Sequence, residues 1–248
     1  EQADLIVPFN HLVGGAIERV DMMERIREQN RRLRERNRTL KAQRARIAAL
    51  KDETEEAFQL SIRLLARAAE IHDSDTANHI LRVNEYSGFL ARRSGMPQAF
   101  CDEIRYSAQL HDVGKMSVDV AILRKEGALT EDELEEMKRH PEYGYQILSA
   151  SDRLLMAADI ALCHHERWDG SGYPRGLAGE QIPVAARIVA MADIYDALRS
   201  QRPYKPGYSH EQACEVMMEG DGRTDPGAHF DPRLLEIFAA EHRAMDAI

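Results

Sequence analysis

The sequence predicts an all-α fold, in which a long coiled-coil helix precedes a bundle of shorter helices. Composition supports this: 44% of the 248 residues are hydrophobic, and helix-forming alanine and leucine are frequent. Apolar residues in the body recur at steps of three and four, and no alternating strand pattern competes with them. Prolines stand where helices start and glycines where they stop, at Pro97, Pro183, Pro232, Gly95 and Gly220.

Length and composition exclude several classes. A chain of 248 residues holds one or two domains with a core that needs no disulfide. No window approaches the ~20 apolar residues of a membrane span, and no signal peptide opens the chain. Cys101, Cys163 and Cys214 are odd in number and lack a CxxC spacing, which indicates core thiols in a reducing compartment. We expect a cytoplasmic protein with no membrane partner.

Residues 1–20 predict a short strand followed by a helix. Leu5-Ile6-Val7 form an apolar run, Pro8-Phe9 follow, and a helix begins near His11. This resembles the last strand and helix of a response-regulator receiver domain, although Val7 stands where receivers carry a lysine. We assign residues 1–20 as a receiver remnant, with an ordinary strand-turn-helix as the alternative. A receiver upstream would imply a cognate sensor kinase as a partner.

Residues 21–56 predict a coiled-coil linker helix. No Gly or Pro interrupts residues 22–50, and apolar side chains recur every seven residues with asparagines at the alternate seam position. A buried asparagine favours two parallel strands in register, so we expect a parallel homodimer. A single solvated helix and a basic zipper that binds DNA are the alternatives. The seam residues are Ile26, Leu33, Leu40 and Ile47 at d, with Asn30 and Asn37 at a.

Charge is distributed unevenly along the chain. The net charge is −9, yet residues 25–46 contain nine arginines and one lysine against two glutamates. The remaining body is therefore strongly acidic. An acidic body binds nucleic acid polymers poorly, and it needs metal ions or a few local cations to handle phosphates.

The body, residues 57–248, predicts a helical domain. Its histidines lie on apolar helix faces and near helix ends rather than being scattered. The predicted helices span 58–72, 78–94, 98–111, 130–139, 143–149, 152–165, 184–198, 209–219 and 231–242.

The run His111-Asp112-Val113-Gly114-Lys115 carries the strongest chemical signal. At a helix end, adjacent imidazole and carboxylate groups can face one ion, and the carboxylate can bridge two. Gly114 lets the backbone turn so that Lys115 returns toward the site.

Further histidines and carboxylates stand at positions suited to the same site. Pro141 biases His140 out of helix and places it at the start of a loop. His164 and His165 close another helix, and Asp193 and Asp196 share one helix face. A satisfied core histidine is the simpler account of any one of them. Together, nitrogen and oxygen ligands without thiolate suit Mn, Fe, Co, Ni or Zn.

Two long motifs carry a family resemblance. His111-Asp112-Val113-Gly114-Lys115 and the later run His164-His165-Glu166-Arg167-Trp168-Asp169-Gly170-Ser171-Gly172-Tyr173-Pro174 resemble the HD-GYP family of cyclic di-GMP phosphodiesterases, a branch of the HD phosphohydrolases. The resemblance covers residues 60–245 and implies an HD-domain helical bundle.

The resemblance implies roles for individual residues. Asp112 and Lys115 match catalytic positions, with Asp112 bridging two metals. Lys115, Arg202 and Lys205 match cations that hold substrate phosphates, and the Tyr173-Pro174 loop shapes the guanine pocket or a partner surface. The implied metal ligands are His79, His111, Asp112, His140, His164, His165 and Asp193.

Asp75 bears on the number of metals. Some family members place a glutamate four residues before the first ligand histidine and hold a third metal there. Here Asp75 takes that place, with a helix N-cap as its alternative role. The resemblance implies two divalent ions, or three with Asp75. Iron or manganese is expected, with nickel, cobalt and zinc as alternatives.

The implied function is metal-dependent hydrolysis of cyclic di-GMP to pGpG, GMP or both, in two-component signalling. A catalytically weak sensor or docking module for diguanylate cyclases is one alternative. Another HD phosphohydrolase activity on nucleotides is a second, although the Gly172-Tyr173-Pro174 loop with Arg202 and Lys205 argues against it.

Overall fold

The computed structural model describes residues 3–69, 77–200 and 207–248, which form helices, short 3-10 turns and loops without a strand. The predicted all-α class is confirmed. None of the helices in these ranges combines the length and apolar character needed to cross a bilayer. The helices are α1 (Ala3–Ala69), α2 (Ala77–Arg93), α3 (Gln98–Ser107), α4 (Val120–Leu123), α5 (Glu131–Met137), α6 (His140–Leu148), α7 (Leu155–Cys163), α8 (Val184–Arg199), α9 (His210–Glu219), α10 (Pro226–His229) and α11 (Pro232–Asp246).

The chain divides into two units, Glu1–Phe58 and Gln59–Ile248. The described residues of the first unit all belong to α1. Their apolar side chains at seven-residue spacing lie exposed along this helix: Ile26, Leu33, Leu40 and Ile47 are 44–66% exposed. Such an exposed stripe is the arrangement that a coiled-coil seam requires.

The strand predicted at Leu5-Ile6-Val7 is wrong, because these residues lie within α1. A single strand would leave its backbone groups without partners, since the described residues contain no second strand. A helix satisfies those groups locally, so it extends through this segment.

In the second unit, one core joins α2, α3, α7, α8, α9 and α11. The last turns of α1 bury Ile62, Ala66 and Ala69 at helical spacing. Helix α8 lies deep in this unit, with most of its residues buried, and it carries Asp193 and Asp196. The largest fully buried side chains of the core are Leu90, Ile104, Ile160, Ile188, Met191, Tyr195, Met217, Phe238 and Met245.

The helix containing His140 begins earlier than the sequence predicts. His140 is the first residue of α6, and Pro141 lies in the first turn, so the predicted loop position of His140 is wrong. Proline is tolerated in a first turn because its missing N–H would have no helical partner there. The three cysteines are free and buried, as predicted.

Candidate metal centre

Seven ligand-type side chains from separate segments meet inside the second unit, and we call them the central cluster. Two groups can be distinguished, each with ligand atoms within 4.8 Å of one another. They come from α2, α6 and α8, from the end of α7 and from the turn after α3. The groups are His79, His111 and Asp193, and Asp112, His140, His164 and His165.

The first group is organised around Asp193. The Oδ1 atom of Asp193 lies 3.5 Å from Nε2 of His79 and 3.9 Å from Nε2 of His111. His111 follows the 3-10 turn Ala108–Leu110, so its ring lies next to helix α2, which carries His79. The rings of His79 and His111 meet edge to face, with centroids 5.6 Å apart.

Asp112 lies between the two groups and faces both. Its Oδ1 atom is 3.2 Å from Nε2 of His140 and 3.5 Å from Nε2 of His164. Its Oδ2 atom is 3.3 Å from Nε2 of His111. Each carboxylate oxygen therefore belongs to a different group, which is the arrangement that a carboxylate bridging two ions needs.

Backbone carbonyls fix the orientation of three imidazoles. The Nδ1 atoms of His111, His140 and His164 lie 2.9, 2.8 and 3.0 Å from the carbonyl oxygens of Ala108, Met137 and Ala161. Carbonyl oxygens only accept hydrogen bonds, so each Nδ1 carries a proton, and the neutral form of each ring presents its lone pair at Nε2. The same carbonyl partner orients histidines in many metal sites.

The inward-facing atoms of the central cluster have no hydrogen-bond partner among the described residues. These buried atoms are Nε2 of His111, His140 and His164, together with Oδ1 of Asp112. Leaving such atoms unsatisfied costs about 1–3 kcal/mol each. Neutral imidazole and carboxylate donors are what divalent transition metals bind, so these residues fit metal ions.

Protonation in the cluster follows burial and charge. Burial lowers the pKa of His165 well below its ordinary value, and neighbouring His164 and His140 lower it further. Burial also lowers the pKa of His111, but the carboxylates of Asp112 and Asp193 outweigh it and raise this pKa to about 9. Without metal, His165 is therefore neutral and His111 is protonated at pH 7.

Lys115 and Gly114 lie directly beside Asp112. The Nζ atom of Lys115 is 2.8 Å from Oδ2 of Asp112. A Cβ atom at Gly114 would overlap the carbonyl oxygen of His140 and approach the amide of Gly144. Glycine is therefore required because α6 packs against this turn, a reason that the sequence did not reveal.

The Tyr173-Pro174 loop covers the His165 side of the cluster. The rings of His165 and Tyr173 stack with centroids 4.7 Å apart. Buried Glu166 accepts hydrogen bonds from the backbone amides of Arg175 and Leu177 at 2.8 and 3.1 Å. These bonds hold the loop in place.

Three predicted site residues, Asp75, Arg202 and Lys205, lie outside the described residues. One supporting residue, Arg82, was missed by sequence reasoning. Asp196 was expected to face the site with Asp193, but its carboxylate lies behind His79, with Oδ2 2.7 Å from Nδ1. Arg82 binds the same carboxylate through Nη2 at 2.9 Å. Its position one turn after His79 was the available signal.

The helical fold and the two-part ligand cluster define an all-α domain with residues suited to binding metal ions. A model of the HD domain family matches residues 22–233. The chain belongs to the HD domain family, as its HD-GYP motifs predict.

Individual relatives of this chain support the same family. A cyclic di-GMP phosphodiesterase of Vibrio cholerae is 41% identical over 217 residues, which cover 82% of this chain and 43% of that protein. The cyclic di-GMP phosphodiesterase response regulator RpfG of Xanthomonas campestris is 41% identical over 205 residues, covering 82% of this chain and 53% of that protein. The chain thus spans about half the length of these relatives.

A solved structure shares the fold. It is a cyclic GMP-AMP-specific phosphodiesterase of Vibrio cholerae, 17% identical, with a TM-score of 0.57 over 76% of this chain and 50% of that chain. At this identity the likeness concerns the fold alone, and it confirms the predicted HD-domain helical bundle.

Proposed function

We propose that this chain hydrolyses cyclic di-GMP with a dinuclear metal centre. The observation that carries the proposal is the position of Asp112, whose two oxygens face different ligand groups. They lie near Nε2 of His111 and Nε2 of His140, which have no hydrogen-bond partner among the described residues. The activity of the relatives named cyclic di-GMP phosphodiesterases supports the choice of substrate.

In this proposal the central cluster holds two ions, iron or manganese, with nickel, cobalt or zinc as alternatives. Asp112 would contribute one carboxylate oxygen to each of them. Two such ions, when bound, lower the pKa of a shared water and neutralise the attacked phosphate. A third ion at Asp75 remains part of the proposal. One ion would be held by His79, His111 and Asp193, and the other by His140, His164 and His165.

The remaining residues bind and orient the substrate. Lys115 places its ammonium group beside Asp112. There its positive charge can neutralise the negative charge that develops on the leaving oxygen. Arg202 and Lys205 bind the phosphates, and Tyr173 and Pro174 shape the guanine side of the site. The products are pGpG, GMP or both.

Substrate choice is tested by incubating manganese- or iron-loaded protein with cyclic di-GMP and resolving the products. Faster conversion of cyclic di-GMP than of cyclic GMP-AMP supports the proposal, and the reverse order would overturn the substrate. Retained metal without any product would favour the docking module for diguanylate cyclases. Arg202→Ala should raise KM more than it lowers kcat, whereas Arg223→Ala, at an exposed position, should change neither.

We further propose that α1 pairs with a second copy in parallel and receives input from an upstream receiver with its sensor kinase. The exposed stripe with Asn30 and Asn37 supports this pairing. Leu33→Glu with Leu40→Glu should convert a dimer to a monomer in light scattering. Ala42→Glu with Ala45→Glu, at exposed positions outside the seam, should leave the dimer intact. A wild-type monomer would contradict the pairing.

A further inference from the structure

A second group of ligand-type side chains lies between α9 and α11, away from the central cluster. His210 and Cys214 are one turn apart on α9, and His242 lies on α11. Their ligand atoms all lie within 4.8 Å of one another. We call these three residues the C-terminal cluster.

The distances within the C-terminal cluster are close to those of a metal site. The Sγ atom of Cys214 lies 3.5 Å from Nε2 of His210, and that nitrogen lies 2.9 Å from Nδ1 of His242. With zinc bond lengths of about 2.3 Å to sulfur and 2.0–2.1 Å to nitrogen, a tetrahedral site separates S and N by about 3.5 Å and two N by about 3.3 Å. The pair of His210 and Cys214 already has this separation, and the nitrogen pair has to open by about 0.4 Å.

The surroundings of His210 suit a ligand. Its Nδ1 atom lies 2.8 Å from the hydroxyl of fully buried Tyr195, so Nδ1–H can donate to that oxygen and leave Nε2 for a metal. The carboxylate of Asp246 lies 3.6 Å from the same Nδ1 and adds negative charge beside the site. His210 and Cys214 are buried, whereas His242 is partly exposed, so water can reach a fourth coordination position.

We propose that His210 Nε2, His242 Nδ1 and Cys214 Sγ bind a zinc ion that ties α9 to α11. Binding releases the thiol proton of Cys214, and the proton between the two imidazoles moves to Nε2 of His242, so both rings bind as neutral ligands. The ion is structural: through His210 and Tyr195 it stabilises the packing of these helices on α8. The proposal does not depend on cyclic di-GMP hydrolysis.

The thiolate distinguishes this site from the central cluster, whose ligand atoms are nitrogen and oxygen alone. Protein titrated with Co²⁺ should develop the near-ultraviolet thiolate-to-cobalt absorption. Cys214→Ser should abolish this band, and His242→Ala should weaken it. Cys101→Ser, the matched control at another buried thiol, should retain it.

Zinc content gives a second readout. After zinc loading and desalting, Cys214→Ser and His242→Ala should each hold one ion fewer per chain than wild type and Cys101→Ser. Circular dichroism verifies that the variants remain helical, and partly exposed His242 tolerates substitution if Cys214→Ser does not fold. A wild-type protein without the cobalt band, or a band and zinc content unchanged in both variants, would overturn the proposal.

Discussion

The central cluster and the C-terminal cluster contain similar side chains in the same unit, but the hydrogen-bonding groups of these side chains find their partners differently. In the central cluster, backbone carbonyls accept hydrogen bonds from three Nδ1 atoms, and four buried inward-facing atoms have no hydrogen-bond partner in the part of the chain that the structure describes. In the C-terminal cluster, the two imidazoles bond to each other and His210 also bonds to Tyr195. Buried acceptors without hydrogen bonds therefore indicate that an ion is required, whereas a cluster whose side chains bond to one another can fold without an ion.

The largest expected effect is that of Asp112→Ala. Because both carboxylate oxygens are lost, neither ion keeps its shared ligand, so metal and phosphodiesterase activity should fall together to background. Elemental analysis and product assays measure both quantities. Asp132→Ala, an exposed carboxylate on α5, is the control. Full turnover by metal-loaded Asp112→Ala would remove the distinction between the clusters.

Gly114→Ala tests the packing that shapes the central cluster. The added Cβ would overlap the carbonyl oxygen of His140, so the 3-10 turn and α6 must separate. We expect a loss of about 1–3 kcal/mol in the free energy of unfolding, with weaker metal binding. Gly222→Ala is the control, because no atom of the described residues lies within 4 Å of its Cβ position. Denaturant unfolding that is equal for the two variants would contradict this account.

Asp196→Asn tests how His79 is positioned. The carboxylate accepts from Nδ1 of His79 and is also bound by Arg82, so it fixes which nitrogen faces Asp193. The amide substitution should weaken metal affinity about 10–100-fold. A competition assay with a metal indicator measures this affinity. Unchanged affinity would show that Asp196 does not position the ligand.

The pH dependence of metal binding follows from His111. Its pKa of about 9 in the metal-free protein means that a proton must leave before Nε2 binds an ion. Affinity for Mn²⁺ should therefore fall by about tenfold for each pH unit below 9, at constant ionic strength. Calorimetry in buffers of different ionisation enthalpy would detect the released proton. A flat profile between pH 7 and 9 would contradict the assigned protonation.

Tyr195→Phe should produce the smallest effect. It removes one hydrogen bond to His210 and leaves the central cluster complete. We expect a loss of about 0.5–1.5 kcal/mol in the free energy of unfolding, with no change in the metal content of the central cluster. A loss of those ions would mean that the two clusters are coupled through α8.

The sequence predicts much of this arrangement because motifs carry local chemistry. Adjacent His111 and Asp112 predict a shared ligand position, and the Pro and Gly signals approximate the helix ends. The loop expected at His140 and the strand expected at Leu5-Ile6-Val7 are wrong, because tertiary packing decides the first and missing strand partners decide the second.

Other features depend on contacts between distant segments. Asp196 and His79 are 117 residues apart, and His210 and His242 are 32 apart. Cys214 is a buried core thiol, as predicted, but only the fold reveals that two imidazoles lie beside it. No local pattern predicts which of many histidines will meet across helices.

The most direct test of the central claim is electron paramagnetic resonance of manganese-loaded wild-type protein. If Asp112 bridges two ions in the central cluster, the spectrum will show an exchange-coupled pair at two ions per chain. A spectrum of isolated, uncoupled manganese at full loading would contradict the dinuclear centre.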